Sequence, residues 1–130
     1  MKYSIFQDKN IEPSELSSLF EEIGWGSYPD EIIIKSISAY PFIAYARSES
    51  GVLIGYLSAF SDRVFSTMLG ELVVHSKFRR RGVARMLLES LDMQYPDCPI
   101  YVQTLGESKH FFFACGYKYS SSEVCALYKK

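Results

Sequence analysis

The sequence predicts a mixed α/β domain, a helix-flanked sheet of about six or seven strands with about four helices. Three observations carry that expectation. Strand-like runs alternate with segments whose apolar residues recur about every 3.6 positions, in the order βααβββαβαβ. Aromatic residues are abundant, 10 Tyr and 9 Phe, and such side chains favour pleated surfaces and clefts over helical bundles. The chain has 130 residues, 48% hydrophobic and 22% charged, with no internal repeat or break in composition. That is enough for one core and too little for two, so residues 1–130 are read as a single domain.

The elements follow in order. Residues 3–7 alternate as a strand does. Pro13 opens a helix in which Leu16, Leu19, Phe20 and Ile23 share one face, and Gly24 is placed to cap its end. Residues 31–39 contain Ile32, Ile33 and Ile34, a run that could be strand. The preceding Pro29-Asp30-Glu31 is a helix-start signal and decides for helix. Residues 42–47 and 52–60 form a hairpin across Ser48-Glu49-Ser50-Gly51, and residues 65–74 make the fourth strand. The next helix places Val83, Leu87, Leu88 and Leu91 in one stripe and Arg85 with Glu89 as an outer i,i+4 pair. A fifth strand at 100–105, a short helix at 108–114 and a closing strand at 124–128 complete the order, with an extra short strand expected at 117–120.

Composition narrows the function classes. A net charge of -1 exerts no global pull on nucleic acid or anionic membranes, so any basic role must be local. Cys98, Cys115 and Cys125 are odd in number and lack metal-ligand spacing, and His75 and His110 are the only imidazoles. Neither a metal site nor a disulfide framework is expected. The opening residues lack a signal-peptide apolar core and no run is long enough to span a bilayer, so a reduced, cytoplasmic setting is expected.

The stretch Arg79-Arg80-Arg81-Gly82-Val83-Ala84 carries the most chemistry. It lies between the apolar run Leu72-Val73-Val74 and a helix. A tight turn into a helix presents backbone N–H groups to an anion, and the helix dipole adds to the attraction. Small residues at Gly82 and Ala84 would let a phosphate reach the backbone, so the turn is a candidate pyrophosphate cradle. The plainer alternative is a solvated basic turn.

In this strand–turn–helix setting the chain resembles the GNAT superfamily of acetyl-coenzyme-A-dependent N-acetyltransferases. That family's signature is Arg or Gln, two variable residues, Gly, one residue, then Gly or Ala, met here by Arg79, Gly82 and Ala84. A second, weaker block is an aromatic pair before a Gly-aromatic dipeptide, met by Phe111-Phe112 and Gly116-Tyr117. The resemblance implies a mostly antiparallel sheet that splays between its fourth and fifth strands. It implies acetyl-CoA as co-substrate, held by backbone at Leu72, Val73 and Val74 and by the turn residues Arg79, Arg80, Arg81, Gly82, Val83, Ala84 and Arg85. One of the three arginines is expected to reach the coenzyme's ribose phosphate.

An alkyl ammonium must lose a proton before it can attack a thioester. With a pKa near 10.4, only about one amine in two thousand is neutral at pH ~7. Glu71, on the fourth strand near where family members often place a carboxylate, is the expected base, directly or through water; an exposed strand-edge carboxylate is the alternative reading. Asp62 and Glu31 could instead meet the substrate from loops. Many relatives place Tyr at the second aromatic of the pair to protonate the departing sulfur. Phe112 stands there and has no proton to give, leaving Tyr117, Tyr119, Tyr101 or water. The loop carrying Trp25 and Tyr28 would border the acceptor site. Its aromatics would select an apolar or aromatic amine or simply cap the core, the latter being the preferred reading of Trp25. The expected function is acetyl transfer to a primary amine, on a small molecule or a protein, by direct attack. The alternative is a coenzyme-A-binding sensor or partner protein with little catalysis. No nucleic-acid partner is expected, and the state is monomer or homodimer.

Overall fold

A computed structural model describes residues 2–130 and places the strands of the described residues in one five-stranded sheet. The strands β1 (Tyr3–Phe6), β2 (Phe42–Ser48), β3 (Leu53–Ser61), β4 (Thr67–Val74) and β5 (Ile100–Tyr101) lie side by side in chain order. The first three junctions are antiparallel and the last is parallel. A parallel neighbour requires a crossover. Helix α3 (Val83–Gln94) supplies it.

Helices α1 (Pro13–Glu22) and α2 (Asp30–Ala39) cover one face of the sheet. Pro13 sits in the first turn of α1, and the Glu12 N–H donates to Glu15 Oε1 at 3.0 Å. At the other end Gly24, at φ +88°, lets Trp25 N–H reach the Phe20 carbonyl at 2.8 Å, so the helix stops there. The isoleucine run is helical: Ile33 and Ile37 are buried one turn apart, while Ile32 and Ile34 are each 50% exposed. These helices pack Leu16, Leu19, Phe20, Ile33 and Ile37 against Ile43, Tyr45, Tyr56 and Val73.

On the opposite face α3 buries Val83, Leu87, Leu88 and Leu91 against Ala44, Ala46, Ile54, Leu57 and Ala59. The close approach depends on Gly55. A Cβ there would stand 2.8 Å from Val83 Cγ1 and 3.2 Å from Leu87 Cδ1. Helix α4 (Lys109–Ala114) contributes Phe112 to the same core.

Two features position the site. First, β4 and β5 pair only through Thr67–Ile100 and Met68–Tyr101, so the rest of β4 leaves its β5-facing edge open, as the expected splay requires. Second, β3 pairs Leu57 with Leu72 but Ala59 with Leu69, so β4 carries an extra residue around Gly70 and Glu71.

The structure corrects the strand count. Residues 102–105 are not strand, and neither 117–120 nor 124–128 forms one. Strand-favouring composition alone does not make a strand; it must meet an edge of comparable length. A two-residue β5 offers no such edge, so Val124, Leu127 and Tyr128 remain 74%, 91% and 90% exposed. An open cleft of about 1140 Å³ lies between α3, β5, α4 and this C-terminal stretch. The expected Arg85–Glu89 pair is also absent among the described residues. Arg85 Nη2 donates instead to the Ala114 carbonyl at 3.2 Å, tying α3 to the end of α4.

Candidate active site

The basic turn begins where β4 ends. His75 N–H completes the ladder by donating to the Ile54 carbonyl at 2.8 Å, and Ser76–Phe78 forms one 3₁₀ turn. Arg79 is extended, Arg80 takes φ +62°, and Gly82 takes φ +82°. Arg80 is thus a non-glycine residue in the left-handed region, a conformation that costs of order 1 kcal/mol and clusters at ligand sites. Gly82 is the N-cap of α3 and has no side chain to close the helix end. Among the described residues the Val83, Ala84 and Arg85 amides find no acceptor, so the first turn of α3 presents open N–H donors.

Tertiary contacts hold this turn. Tyr3 Oη donates to the Arg81 carbonyl at 3.2 Å, so the first strand braces it from below. Glu22, at the end of α1, accepts the Ser76 N–H at 2.9 Å and the Ser76 hydroxyl, bonds that hold its carboxyl below the usual range. Arg79 Nε donates to the Val74 carbonyl at 3.4 Å. The side chains of Arg79, Arg80, Arg81 and Arg85 are exposed, while Val83 is 1% exposed and belongs to the core. Leu72 and Val74 lean on the α3 core and Val73 on the opposite one, so what these strand residues can offer a ligand is backbone.

Glu71 sits at the bulge of β4 and is half-buried. Ser58, directly across on β3 and fully buried, accepts the Glu71 N–H at 2.8 Å and donates its hydroxyl to Glu71 Oε1 at 3.1 Å. Tyr40, just past the end of α2, donates its phenol to Glu71 Oε2 at 2.5 Å. Burial, and then the bond to Glu71, push the Tyr40 phenol up to about 12, so it stays a donor. Tyr56 lies in the same region, its hydroxyl buried without a partner among the described residues. Burial foremost, then the charge of Glu71, raises that phenol too. A carboxylate with one bond to each oxygen keeps lone pairs free to take a proton.

Around these two centres lie the other side chains that the sequence singles out. Asp62 Oδ1 accepts the Val64, Phe65 and Ser66 amides at 2.9, 2.8 and 3.1 Å, which organises its own loop and lowers its carboxyl. Glu31 lies exposed in the first turn of α2. His75 Nδ1 accepts the Lys77 N–H at 3.1 Å and belongs to the turn. Trp25 and Tyr28 pack on Phe20, with centroids 5.3 and 6.0 Å away, and form an aromatic rim beside α1. Phe112 is buried with its ring edge-on to Tyr117 at 5.4 Å, and burial holds the Tyr117 phenol up at about 12. Cys115 has its thiol raised, chiefly by burial, which disfavours a nucleophilic role.

Sequence reasoning missed Tyr40, Ser58, Tyr56 and Glu22. Gly70 was the available signal, because a glycine inside a strand marks a bulge or a close approach. Among the described residues no group of three His, Cys, Asp or Glu could hold a metal ion, and no helix is long and apolar enough to cross a membrane.

Comparison with known proteins matches residues 6–117 to the model of the Acetyltransferase (GNAT) family. The uncharacterised N-acetyltransferase ycf52 of Pyropia yezoensis is 25% identical over 126 residues, covering 95% of this chain and 65% of the relative. Its counterpart from Porphyra purpurea is 28% identical over 100 residues, covering 75% of this chain and 58% of the relative. The chain therefore spans about half to two thirds of the length of the curated relatives it matches. Among solved structures, a GNAT-family acetyltransferase from Streptococcus pneumoniae superposes with a TM-score of 0.80 at 13% identity, over 99% of this chain and 100% of that one. Glucosamine-6-phosphate N-acetyltransferase from Arabidopsis thaliana superposes at 0.72 and 18% identity, over 99% and 100%. At such identities the superpositions speak for the fold.

Proposed function

We propose that this chain, which belongs to the Acetyltransferase (GNAT) family, transfers acetyl from acetyl-CoA to a primary amine by direct attack. The observation that carries the reading is the turn into α3, with Arg80 and Gly82 both at positive φ before an uncapped helix N-terminus. The residues present fit a pyrophosphate. Open amides at Val83, Ala84 and Arg85 supply directed donors, the α3 dipole favours an anion, and four exposed arginines add charge. Arg79 or a neighbouring arginine would meet the ribose phosphate. The open edge of β4, from Leu72 to Val74, would take the extended arm of the coenzyme as an added strand.

Acetyl-CoA, when bound, supplies an acetyl group activated as a thioester. The chain's own part is to orient it and to manage protons. Glu71, held by Ser58 and Tyr40, accepts a proton from the acceptor ammonium, directly or through one water, so that nitrogen regains the lone pair with which it attacks. The new C–N bond replaces the C–S bond, sulfur leaves with the bonding electrons, and the nitrogen, positively charged after attack, sheds its second proton to water or to the departing thiolate. Phe112 gives that sulfur no proton, but a thiol of pKa near ~8.5 is already a tolerable leaving group. The acceptor is an amine on a small molecule or on a protein.

Phe112 favours a second reading, a coenzyme-A-binding protein with weak or no catalysis. Calorimetry with acetyl-CoA, followed by thiol release with a panel of amines and polyamines, separates the two. Binding with steady multiple turnover is expected. Binding without turnover would leave the second reading, and no binding at millimolar acetyl-CoA would sink both.

A further inference from the structure

Tyr40 is shaped to one task around Glu71. It lies at the C-terminal cap of α2, yet its ring reaches across the sheet face to β4. The ring leans against Phe60 of β3, with centroids 4.4 Å apart and planes tilted by 37°. Its edge fills the space above Gly70, where a Cβ would stand 2.5 Å from the hydroxyl and 2.7 Å from two ring carbons. With ring and strand locked in this way, the hydroxyl lands on Glu71 Oε2 while Ser58 holds Oε1. Ser58 also fastens the Glu71 backbone, opposite the extra residue of the bulge. The carboxylate is thereby fixed in position and rotation by two donors from two other elements.

We propose that Tyr40 is a positioning residue for acetyl transfer, acting through its hydroxyl on Glu71, and that Gly70 is glycine to admit its ring. This rests on the reading of Glu71 as the base. A packing role alone would need the ring and not the hydroxyl. The hydroxyl stays protonated through the working range and donates without entering the proton transfer.

The test is a double-mutant cycle of Tyr40→Phe and Glu71→Gln in the full chain. Thiol release from acetyl-CoA is followed with whichever of phenethylamine, spermidine and lysine turns over fastest with the wild type. Tyr40→Phe keeps the ring that packs on Gly70 and Phe60, so folding should survive. A reacting group misplaced by about an ångström loses roughly 100-fold, so a fall in kcat of about 10- to 100-fold is expected, with KM for acetyl-CoA unchanged. In the Glu71→Gln background the same substitution should add almost nothing, because the two act as one unit. Wild-type kcat in Tyr40→Phe, or losses that multiply, would overturn the positioning role while leaving the base reading intact. Undiminished turnover in Glu71→Gln would overturn the base and the positioning role together. Ultraviolet titration gives a readout independent of turnover. In Glu71→Gln the Tyr40 phenol should titrate earlier, and an unchanged titration would refute the contact.

Discussion

The turn at residues 79–85 and the cluster around Glu71 are built in opposite ways. The turn is contiguous in sequence, exposed, and offers backbone: open amides, a left-handed Arg80 and a side-chain-free cap at Gly82. The cluster draws its side chains from three elements, with Ser58 lying 13 residues and Tyr40 31 residues from Glu71. The first needs only local φ and ψ values and a few braces. The second exists only when α2, β3 and β4 are packed together. Donor binding should therefore tolerate damage to the sheet face that holds Glu71, and chemistry should tolerate mild damage to the turn.

The sharpest way to break that contrast is Gly70→Ala. The added methyl meets the far end of the Tyr40 ring, which must swing away from Glu71 to make room. Overpacking of this kind costs about 1–3 kcal/mol. Displacing Tyr40 from Glu71 should lower turnover by roughly 100-fold. Acetyl-CoA affinity by calorimetry should stay close to that of the wild type, and a parallel loss of affinity would mean that the two regions are not separable.

Gly82→Ala strikes the other region. No rigid neighbour crowds a Cβ there, the nearest atom being Tyr3 Oη at 3.4 Å, so the cost is the left-handed backbone itself. That amounts to about 1–2 kcal/mol, measurable by urea denaturation. Acetyl-CoA binding should weaken by about 10-fold if roughly 1.4 kcal/mol of that distortion reaches the bound state. Saturating kcat should hold. A fall in kcat with affinity preserved would reverse the assignment.

The smallest expected effect is in pH. Burial and the bond to Glu71 raise the Tyr40 phenol from 10.0 to about 12, and burial and the bond to Asp8 do the same for Tyr45. Folding therefore favours the protonated phenols. Their contribution is complete below pH 10 and is lost as pH rises toward 12. Tyr40→Phe should flatten part of that alkaline decline in a urea titration series. An identical decline in the variant would show that the phenol is not held by its neighbours.

How much of this was legible depended on sequence separation. The helix starts at Pro13 and Pro29, the Gly24 stop, the Gly51 turn and the stripe of α3 all follow from residues within a turn of one another. So did the basic turn, because an anion cradle of backbone amides is itself a local structure. The C-terminal runs at 117–120 and 124–128 carry strand-favouring residues, but whether they pair depends on the edge of β5, which those residues do not encode. Arg85 likewise had a plausible partner in Glu89 and took the Ala114 carbonyl that the packing of α4 placed nearer.

By itself the sequence determined the mixed fold, the strand–turn–helix that presents open amides, and the presence of a carboxylate at Glu71. These rest on periodicity, on glycine at positive φ and on residue chemistry, all read within short windows. Only the tertiary structure decided what surrounds that carboxylate. A bulge in β4, a serine opposite it and a tyrosine from the end of α2 meet there because the packing of α2 on one face of the sheet forces them together. Gly70 is where the two levels touch. In the sequence it is a weak spot in a strand; in the fold it is the space that the Tyr40 ring occupies.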